Sequence, residues 1–490
     1  MTAKQKRPRP RLPRGFVDIS PRDALRRAEM VEAITKVYRL FGFEPLETPM
    51  IEYLDALGKF LPDVEAPDQG VFALHDDDES WIALRYDHTA PLARYVAQNR
   101  NELSMPFRRY SAGPVFRRDK PGPGRFRQFI QCDFDTVGTR SAAADAEAAL
   151  VVGEGLKAIG LQPHQFTLKV NNRKILNGIL DRIDVGTRSA DGDQDPQEKK
   201  SHVLRSMDKL DRIGLSGVEE LLGKGRMDES GDFTPGVGLD DDQIAPILQF
   251  VNAGANATSR QDVLAKLADL VGDHPDGSAG VAELALMDEL FTGAGFDSAS
   301  VSYDPTIVRG LDYYTGPVFE IQLTEISWGS IGGGGRYDDL VKRFTGQEVP
   351  ATGASIGIDR LLAALNTLEA EAAAPLTGPV VVTVMDKERI ADYQQMVTEL
   401  RAAGITAELY LGNKGLGHQL KYADRRHSPV AVIAGSDEFD TDQLVIKDLA
   451  AGKRVSLEIS DRQEWLEADV QRSIPRADLV STILSQLGDK

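Results

Sequence analysis

The segment GRFRQFIQCDFDTVG, from Gly124 to Gly138, constrains the fold more than any other part of the sequence. Its residues alternate between apolar and polar, as in a β-strand whose two faces meet different surroundings. The apolar face carries Ile130, Cys132 and Phe134, and the polar face carries Gln131, Asp133 and Asp135. The apolar face requires a hydrophobic core. The polar face fits either solvent or a polar cavity, and the alternation alone does not decide between them.

Cationic residues border this strand. From Arg108 to Arg127 the chain has seven Lys or Arg and one acid, Asp119. Arginines flank the loop DKPGPG on both sides, and guanidinium groups of this kind bind phosphate. The formal net charge of the whole chain is −18, which argues against a general nucleic-acid coat protein but allows a local phosphate-binding patch.

Three further segments combine polar residues with an element boundary. In LRYDHTAPLARYV, Asp87 and Thr89 stand between a predicted strand and a predicted helix, where they fit either helix capping or ligand binding. In VRGLDYYTGPVFEIQL, polar residues precede a predicted strand that begins near Val318. In IGGGGRYDDLV, four glycines precede a predicted helix. They fit a tight turn, or a close approach to a ligand or neighbouring strand, because the P-loop and G-x-G-x-x-G patterns are missing.

The pattern along 490 residues predicts several domains. The boundaries are a basic, disordered arm at 1–14, a β-rich domain formed by 15–172 and 299–374, a mainly helical insertion at 173–298, and an α/β domain at 378–490. The α/β domain is predicted from the short apolar strands in VVVTVM, ITAELYL and PVAVIAG. No apolar run reaches the ~18 residues of a membrane span. The single cysteine, Cys132, is predicted to be a core residue and suits a reducing cytoplasm.

The order of these segments resembles a class II aminoacyl-tRNA synthetase, and specifically the histidyl-tRNA synthetase family. RGLDYYTG is similar to that family's own signature, and GASIGIDRL is similar to its motif 3. Pro49 in FEPLETPM resembles the motif 1 proline at a dimer interface. The resemblance covers nearly the whole chain. It implies an α+β fold with an antiparallel sheet and flanking helices, a helical insertion, and a C-terminal α/β domain that binds the anticodon.

The resemblance also implies roles for individual residues. Arg309 and Arg117 match catalytic arginines at the α-phosphate of ATP. The residues matching the ATP site are Arg117, Asp119, Arg125 and Arg360. The residues matching the histidine site are Asp87, Thr89, Gln131, Asp135, Tyr313, Tyr314 and Tyr337. No protein metal site is expected, since no Cys/His cluster has zinc-ligand spacing.

The function implied by the resemblance is that of a histidine–tRNA ligase. The enzyme would use ATP with Mg²⁺ to activate L-histidine and would transfer it to histidine tRNA, as a homodimer in the cytoplasm and without a membrane. The alternative is a non-catalytic, synthetase-like regulatory subunit of histidine biosynthesis. Such relatives generally lack the C-terminal domain and depart from the RGLDYY signature. This chain has the C-terminal domain and the signature.

The loop Pro121-Gly122-Pro123-Gly124 generates a prediction about the tRNA. In the family the equivalent loop helps to recognise an extra 5′ guanosine on the tRNA, but two prolines and two glycines offer no side-chain donor or acceptor to a base edge. We therefore expect transcripts with and without that guanosine to be charged with similar kcat/KM. A difference of more than about a hundredfold, roughly 2.7 kcal/mol, would contradict this expectation.

Overall fold

The computed structural model describes most of the chain. The described residues are 9–57, 70–185, 196–228, 231–308, 313–326, 328–368, 377–451 and 470–488. The chain forms two compact units, Met1–Glu371 and Ala372–Lys490. None of the helices in the described ranges is both long and apolar enough to cross a lipid bilayer.

The first unit contains both helices and strands. Its helices are α1 (Pro21–Leu40), α2 (Leu54–Leu57), α3 (Thr89–Asn99), α4 (Ala142–Ala158), α5 (Arg173–Arg182), α6 (Pro196–Met207), α7 (Leu210–Leu222), α8 (Asp241–Asn252), α9 (Arg260–Val271), α10 (Pro275–Gly293), α11 (Lys342–Thr345) and α12 (Ile358–Leu368). Its strands are β1 (Glu44–Pro45), β2 (Ile51–Tyr53), β3 (Ala73–His75), β4 (Trp81–Leu84), β5 (Phe107–Phe116), β6 (Gln128–Val137), β7 (Phe166–Asn172), β8 (Gly225–Met227), β9 (Phe233–Pro235), β10 (Val301–Tyr303), β11 (Pro317–Leu323), β12 (Gly332–Tyr337) and β13 (Ala351–Gly357).

An eight-stranded sheet in the order β1-β5-β6-β13-β12-β11-β7-β10 organises this unit. The six inner strands pair antiparallel, and the short edge strands β1 and β10 pair parallel to their neighbours. Helices α1, α4 and α12 pack against the central strands. Cys132 and Phe134 of β6 are buried in the core that they form. The predicted antiparallel α+β architecture and the core position of Cys132 are therefore confirmed.

Local sequence signals explain where the helices begin. Ser20 accepts a hydrogen bond from the Asp23 backbone N–H at 3.2 Å and caps α1, with Pro21 in the first turn. Asn172 ends β7 and caps α5 by accepting from the Lys174 N–H at 3.0 Å. The strand β7 therefore leads directly into the helical segment α5–α10, whose only described strands form the ribbon β8–β9.

The glycine run differs from its prediction. Gly332–Gly335 lie inside β12, in the middle of the large sheet, and the next helix, α11, begins only at Lys342. Close strand packing explains their place in a strand: a Cβ on Gly334 would lie 2.1 Å from the Gly353 carbonyl oxygen. The interpretation as a tight turn before a helix is wrong, and the close approach to a neighbouring strand is confirmed.

The second unit is a smaller α/β domain. Its strands are β14 (Val380–Val382), β15 (Ala407–Leu409), β16 (Val430–Ile433), β17 (Gln443–Asp448) and β18 (Gln471–Pro475). Its helices are α13 (Ile390–Ala402), α14 (Leu416–Arg425), α15 (Ser436–Asp440) and α16 (Leu479–Gly488). The sheet order is β15-β14-β16-β17-β18, with β15, β14 and β16 parallel and β17 and β18 added antiparallel. The three apolar strands predicted from the sequence are the three parallel ones.

Candidate active site

A single cavity of about 660 Å³ on the large sheet brings together the predicted site residues that the structure describes. They are Asp87, Thr89, Arg117, Asp119, Arg125, Gln131, Asp135, Tyr313, Tyr314, Tyr337 and Arg360. Arg309 lies outside the described residues, as does most of the predicted basic arm at 1–14. The polar face of β6 therefore looks into a cavity and not into solvent.

Asp135 lies at one end of the cavity, in its wall, where it is 3% exposed. Its Oδ2 forms an ion pair with Arg109 Nη2 at 2.6 Å, and the Tyr337 hydroxyl donates to its Oδ1. Burial raises the pKa of Asp135 to about 6, opposed first by the Arg109 guanidinium and then by the Tyr337 hydrogen bond. The carboxyl group is therefore ionised at neutral pH and can accept a hydrogen bond from a ligand.

Three tyrosines surround this end. The Tyr313 and Tyr337 rings are stacked with centroids 5.2 Å apart, and Tyr314 meets Tyr313 edge-on at 4.9 Å. Burial raises the pKa of all three phenols, so they stay neutral and can donate hydrogen bonds. The backbone of Thr315 donates to the Arg336 carbonyl oxygen at 2.8 Å, which ties the tyrosine segment to β12.

Asp87 caps a helix and also lines the cavity. Its Oδ1 accepts hydrogen bonds from the backbone N–H groups of Thr89 at 3.1 Å and Ala90 at 2.9 Å, and so it caps α3. The same side chain lines the cavity, as does Thr89. Burial raises the pKa of Asp87, against the stabilising effect of the Ala90 N–H. Helix capping thus fixes the position of a carboxyl group that a ligand can reach.

His88, between these two residues, is a structural group. It is 1% exposed, with Nε2 3.2 Å from the Gly113 carbonyl oxygen and Nδ1 3.3 Å from the Ser111 hydroxyl. A carbonyl oxygen only accepts, so Nε2 carries the proton and Ser111 donates to Nδ1. Burial, followed by the nearby Arg85 and Arg109 guanidinium groups, lowers the pKa of His88 to about 3. The ring is neutral at physiological pH and does not act as a base.

The other end of the cavity is cationic. Arg117 donates from Nε to the Tyr86 carbonyl oxygen at 3.0 Å, and its Cζ lies 5.4 Å from the centre of the Phe129 ring. Arg125 is exposed beside the loop turn, and Arg360 donates to the carbonyl oxygen of Trp328. Arginines held in this way offer fixed, always-charged donors to a polyanion.

The sequence did not predict three buried charged residues of this site. Asp133 and Glu320 line the cavity, and Arg109 lies behind Asp135. The alternation on β6 placed Asp133 on the correct face, but Arg109 could be found only from the register, in which Arg109 of β5 pairs with Asp135 of β6. That register depends on tertiary pairing, which local sequence does not display.

The neutral state of His88 gives a testable pH dependence. His88 has a pKa of about 6.5 in the unfolded chain and about 3 in the folded chain. The neutral ring therefore contributes its full stability above pH 6.5, and this contribution is lost as the pH falls from 6.5 toward 3. In His88→Gln we expect urea denaturation to show about 2 kcal/mol less loss of unfolding free energy between pH 7.5 and pH 5. Asp135 titrates in both the wild type and the variant, so its contribution to the pH dependence cancels when the two proteins are compared. Equal pH dependence in both proteins would contradict the buried neutral ring.

Comparison with protein families identifies two matches along the chain. Residues 15–361 match the model of histidyl-tRNA synthetase, and residues 379–469 match the model of an anticodon binding domain. Histidine–tRNA ligase of Ruegeria sp. (strain TM1040) is 51% identical over 505 aligned positions, which cover 99% of each chain. The enzyme of the same name from Rhizobium leguminosarum bv. trifolii (strain WSM2304) is also 51% identical and covers 99% of this chain and 96% of its own.

Solved structures give the same result. The crystal structure of histidyl-tRNA synthetase from Nostoc sp. PCC 7120 superposes with a TM-score of 0.76 at 29% identity, covering 98% of this chain and 100% of that one. A structure from Bacillus halodurans C described as an ATP phosphoribosyltransferase regulatory subunit/histidyl-tRNA synthetase has a TM-score of 0.68 at 23% identity and covers 85% of this chain. At that identity the second likeness shows the fold alone.

Proposed function

This chain belongs to the histidyl-tRNA synthetase family, and on that premise we propose that its large-sheet cavity joins L-histidine to AMP from ATP before the histidine passes to its tRNA. The observation that carries the proposal is the buried, ionised Asp135, held by Arg109 and Tyr337 at one end of a cavity whose other end is lined by arginines. The alternative of a non-catalytic regulatory subunit is not favoured, because ligases match the whole chain, including its second unit.

The tyrosine-lined end is suited to an imidazole ring. The Asp135 carboxylate accepts a hydrogen bond from the N–H of a neutral imidazole, and a neutral Tyr314 hydroxyl can donate to the other ring nitrogen. A site built to hydrogen-bond its substrate rejects an analogue without the matching groups by about 10⁴–10⁵-fold. Amino acids with apolar side chains would offer no donor to the Asp135 carboxylate and no acceptor to the Tyr314 hydroxyl.

The cationic end is suited to ATP. Arg117 would contact the α-phosphate, Arg125 the γ-phosphate, and Arg360 would stack on an adenine that Asp119 contacts. These roles follow from the matching positions in the family and agree with the placement of all four residues on the cavity wall. An Arg309 contact at the α-phosphate belongs to the same proposal and rests on the sequence signature alone.

The first reaction needs alignment and charge, and it needs no general base. A histidine carboxylate oxygen attacks the α-phosphorus, the bond from that phosphorus to the bridging oxygen of the β-phosphate breaks, and pyrophosphate leaves with the electron pair. The attacking carboxylate is already ionised at neutral pH. The arginines therefore act by fixing the phosphate and by stabilising the negative charge that develops on its oxygens.

Mg²⁺ would accompany the nucleotide. No group of three His, Cys, Asp or Glu side chains in the described ranges could hold a metal ion without help. A magnesium ion bound mostly by phosphates needs only one or two protein carboxylates, and Glu320, which lines the cavity and is 5% exposed, fits that requirement. When bound, the ion would neutralise charge on the outer phosphates.

The second unit would hold the tRNA. Its match to an anticodon binding domain supports a role in reading the anticodon. In the second reaction the ribose hydroxyl at the tRNA terminus would attack the histidyl carbonyl carbon of the adenylate and lose its proton, the bond from that carbon to the phosphate oxygen would break, and AMP would leave. We place this reaction in the cytoplasm, which agrees with a single cysteine, Cys132, that is free and buried.

Pyrophosphate exchange tests the amino acid specificity. The purified chain with ATP, Mg²⁺ and labelled pyrophosphate should exchange label with L-histidine at least about 10³-fold faster than with glycine, proline or any other amino acid. Arg117→Ala should lower the histidine-dependent rate by about 10²–10³-fold because a preorganised cation at the reacting phosphate is lost. Arg100→Ala, which removes an exposed arginine outside the cavity, is the matched control and should retain the rate. Exchange with another amino acid, or none with histidine, would refute the assignment.

A homodimer is also proposed. Five large apolar side chains on or next to the small sheet β2-β4-β3 are between 39% and 55% exposed, which is unusual for a surface without a partner. They are Met50, Ile51, Tyr53, Leu74 and Trp81. They follow Pro49 closely in sequence or lie across the same sheet, so this surface agrees with the motif 1 position of that proline.

Light scattering tests the dimer. We expect the wild-type protein to have twice the mass of the chain, and the double variant Ile51→Lys, Tyr53→Asp to shift to the monomer mass because charges would be buried in an apolar interface. Met227→Lys changes a residue that is 60% exposed on the separate ribbon β8–β9 and should stay dimeric. A monomeric wild type, or a double variant that remains dimeric, would exclude this surface.

A further inference from the structure

The tip of the β5–β6 hairpin, residues 117–127, carries three of the residues that line the cationic end of the cavity: Arg117, Asp119 and Arg125. The backbone N–H of Arg117 donates to the Arg127 carbonyl oxygen at 2.9 Å, which continues the pairing of the two strands. The backbone N–H of Arg127 donates to the carbonyl oxygen of Gly15 at 2.8 Å. A segment that precedes α1 therefore joins the hydrogen bonds that hold the hairpin tip.

The segment around Gly15 is anchored apart from the hairpin tip. The Phe16 ring meets the Phe72 ring edge-on, with centroids 5.8 Å apart. Helix α1 follows, and the ion pair between Arg27 and Asp359 at 3.0 Å ties it to α12. These contacts hold the segment in place without help from the hairpin tip, so the segment can support the tip from outside the cavity.

The packing at Gly15 leaves no space for a side chain. The φ of Gly15 is +83°, in the left-handed region that favours glycine. A Cβ there would lie 2.8 Å from Arg127 Cγ, 2.8 Å from Pro121 Cγ and 2.9 Å from Arg127 Cδ. The proline ring is rigid, and the arginine stem can leave only by adopting another rotamer. The close contact between this segment and the hairpin tip therefore requires glycine.

The side chain that packs on Gly15 leads to the wall of the cavity. Arg127 donates from Nε to the Asp119 carbonyl oxygen at 3.2 Å. A movement of the Arg127 side chain is therefore transmitted to Asp119, and a movement of its backbone is transmitted to Arg117. Gly15 itself does not line the cavity, so it can affect a ligand only through the hairpin tip.

We propose that Gly15 is a positioning residue for the cationic end of the cavity, and that its contact with Arg127 and Pro121 sets the hairpin tip where Arg117 and Arg125 can hold the phosphates of ATP. The inference rests on the proposed use of ATP in this cavity. Guanidinium groups bind phosphate through hydrogen bonds of defined geometry, and a misplacement of about 1 Å can lower a rate by about 10²-fold.

The proposed imidazole end of the cavity lies away from this support. Asp135 pairs with Arg109 on one side and with Gly353 on the other, inside the central sheet. Tyr337 belongs to β12, which lies two strands from β6. A shift of the hairpin tip should therefore weaken ATP binding and leave histidine binding nearly unchanged.

Gly15→Ala tests the support. The hairpin tip must shift by about 0.5–1 Å before the new contacts reach ordinary van der Waals distances of about 3.5 Å. In pyrophosphate exchange we expect the KM for ATP to rise at least about tenfold and the KM for histidine to change by less than about threefold. Calorimetric titration with ATP alone should show the same weakening without depending on turnover.

Gly42→Ala is the matched control. Gly42 follows the end of α1 with a φ of +80°, so alanine there meets nearly the same backbone strain. Beyond the chain neighbours, a Cβ at this position would approach no atom of the described residues within 4 Å. Gly42→Ala should lower the temperature of thermal unfolding through this strain and keep both KM values within about threefold of the wild type.

A second substitution separates the contact from a general loss of stability. Pro121→Ala removes the ring atom that would lie 2.8 Å from the added methyl group. The rise in the KM for ATP caused by Gly15→Ala should therefore be at least about threefold smaller in a Pro121→Ala background than in the wild type. A defect unrelated to the hairpin tip would not be relieved in this way.

Arg127→Lys tests the same path if Gly15→Ala does not fold. Lysine keeps the charge and the aliphatic stem but has no donor at the position of Nε, so the hold on the Asp119 carbonyl oxygen is lost. The KM for ATP should rise at least about threefold, while the KM for histidine stays within about twofold. An unchanged KM for ATP would overturn the path from Gly15 to the cavity.

The outcomes separate this inference from the proposed function. A wild type without histidine-dependent exchange would remove the proposed function and this inference together. A wild type that exchanges, with a Gly15→Ala variant whose KM for ATP equals that of Gly42→Ala, would overturn only the role of Gly15. Equal rises of the KM for ATP and for histidine would mark a general structural effect and would also overturn it, as would a double variant without relief.

Discussion

The ion pair between Arg109 and Asp135 is the interaction on which the cavity depends. Its partners lie on the paired strands β5 and β6, with side chains only 1% and 4% exposed. A buried ion pair gains little stability overall, but loss of one partner strands the other charge at a cost of about 3–5 kcal/mol. Arg109 also donates to the His88 carbonyl oxygen at 3.1 Å, next to the start of α3. One guanidinium group therefore contacts a carboxylate of the cavity wall, links two paired strands and holds the start of a helix.

Glycines, which have no side chain, leave open space above the Arg109–Asp135 pair. Strand β13, next to β6, presents Gly353 opposite Asp135 and Gly357 opposite Gln131. On the following strand, β12, Gly333 lies opposite Ser355 of β13. A Cβ on Gly353 would lie 2.3 Å from Asp135 Oδ1, so any larger residue there would displace the carboxylate. Gly335 has a φ of 157°, and a Cβ there would lie 2.5 Å from the Pro317 carbonyl oxygen. Glycine weakens a strand, and at these positions it leaves room on the sheet for the cavity.

The parts of this structure that could be predicted from sequence depend on local signals. The alternation of β6 and the apolar runs of the second unit each act within a few residues, and each formed as predicted. The glycine strand could not be recognised, because glycine has low β-propensity and owes its place there to strands that are distant in sequence. Arg109 was missed for the same reason. Nothing near it in sequence marks it as the partner of a carboxylate 26 positions later, since register is a property of the pairing.

The distribution of charge explains how a site without a general base can organise this reaction. The carboxylates of β6 occupy one end of the cavity and the arginines occupy the other, while the buried neutral His88 adds no charge. In the proposed function, a ligand with a cationic amino group and a polar ring would be drawn to the first end, and a polyphosphate to the second. The substrate carboxylate would be repelled by the first end and attracted by the second, and so would be directed toward the α-phosphate. Electrostatic placement of this kind aligns the reacting atoms before the reaction begins. In a transfer of this type, such alignment and preorganised charge supply most of the reduction in the activation barrier.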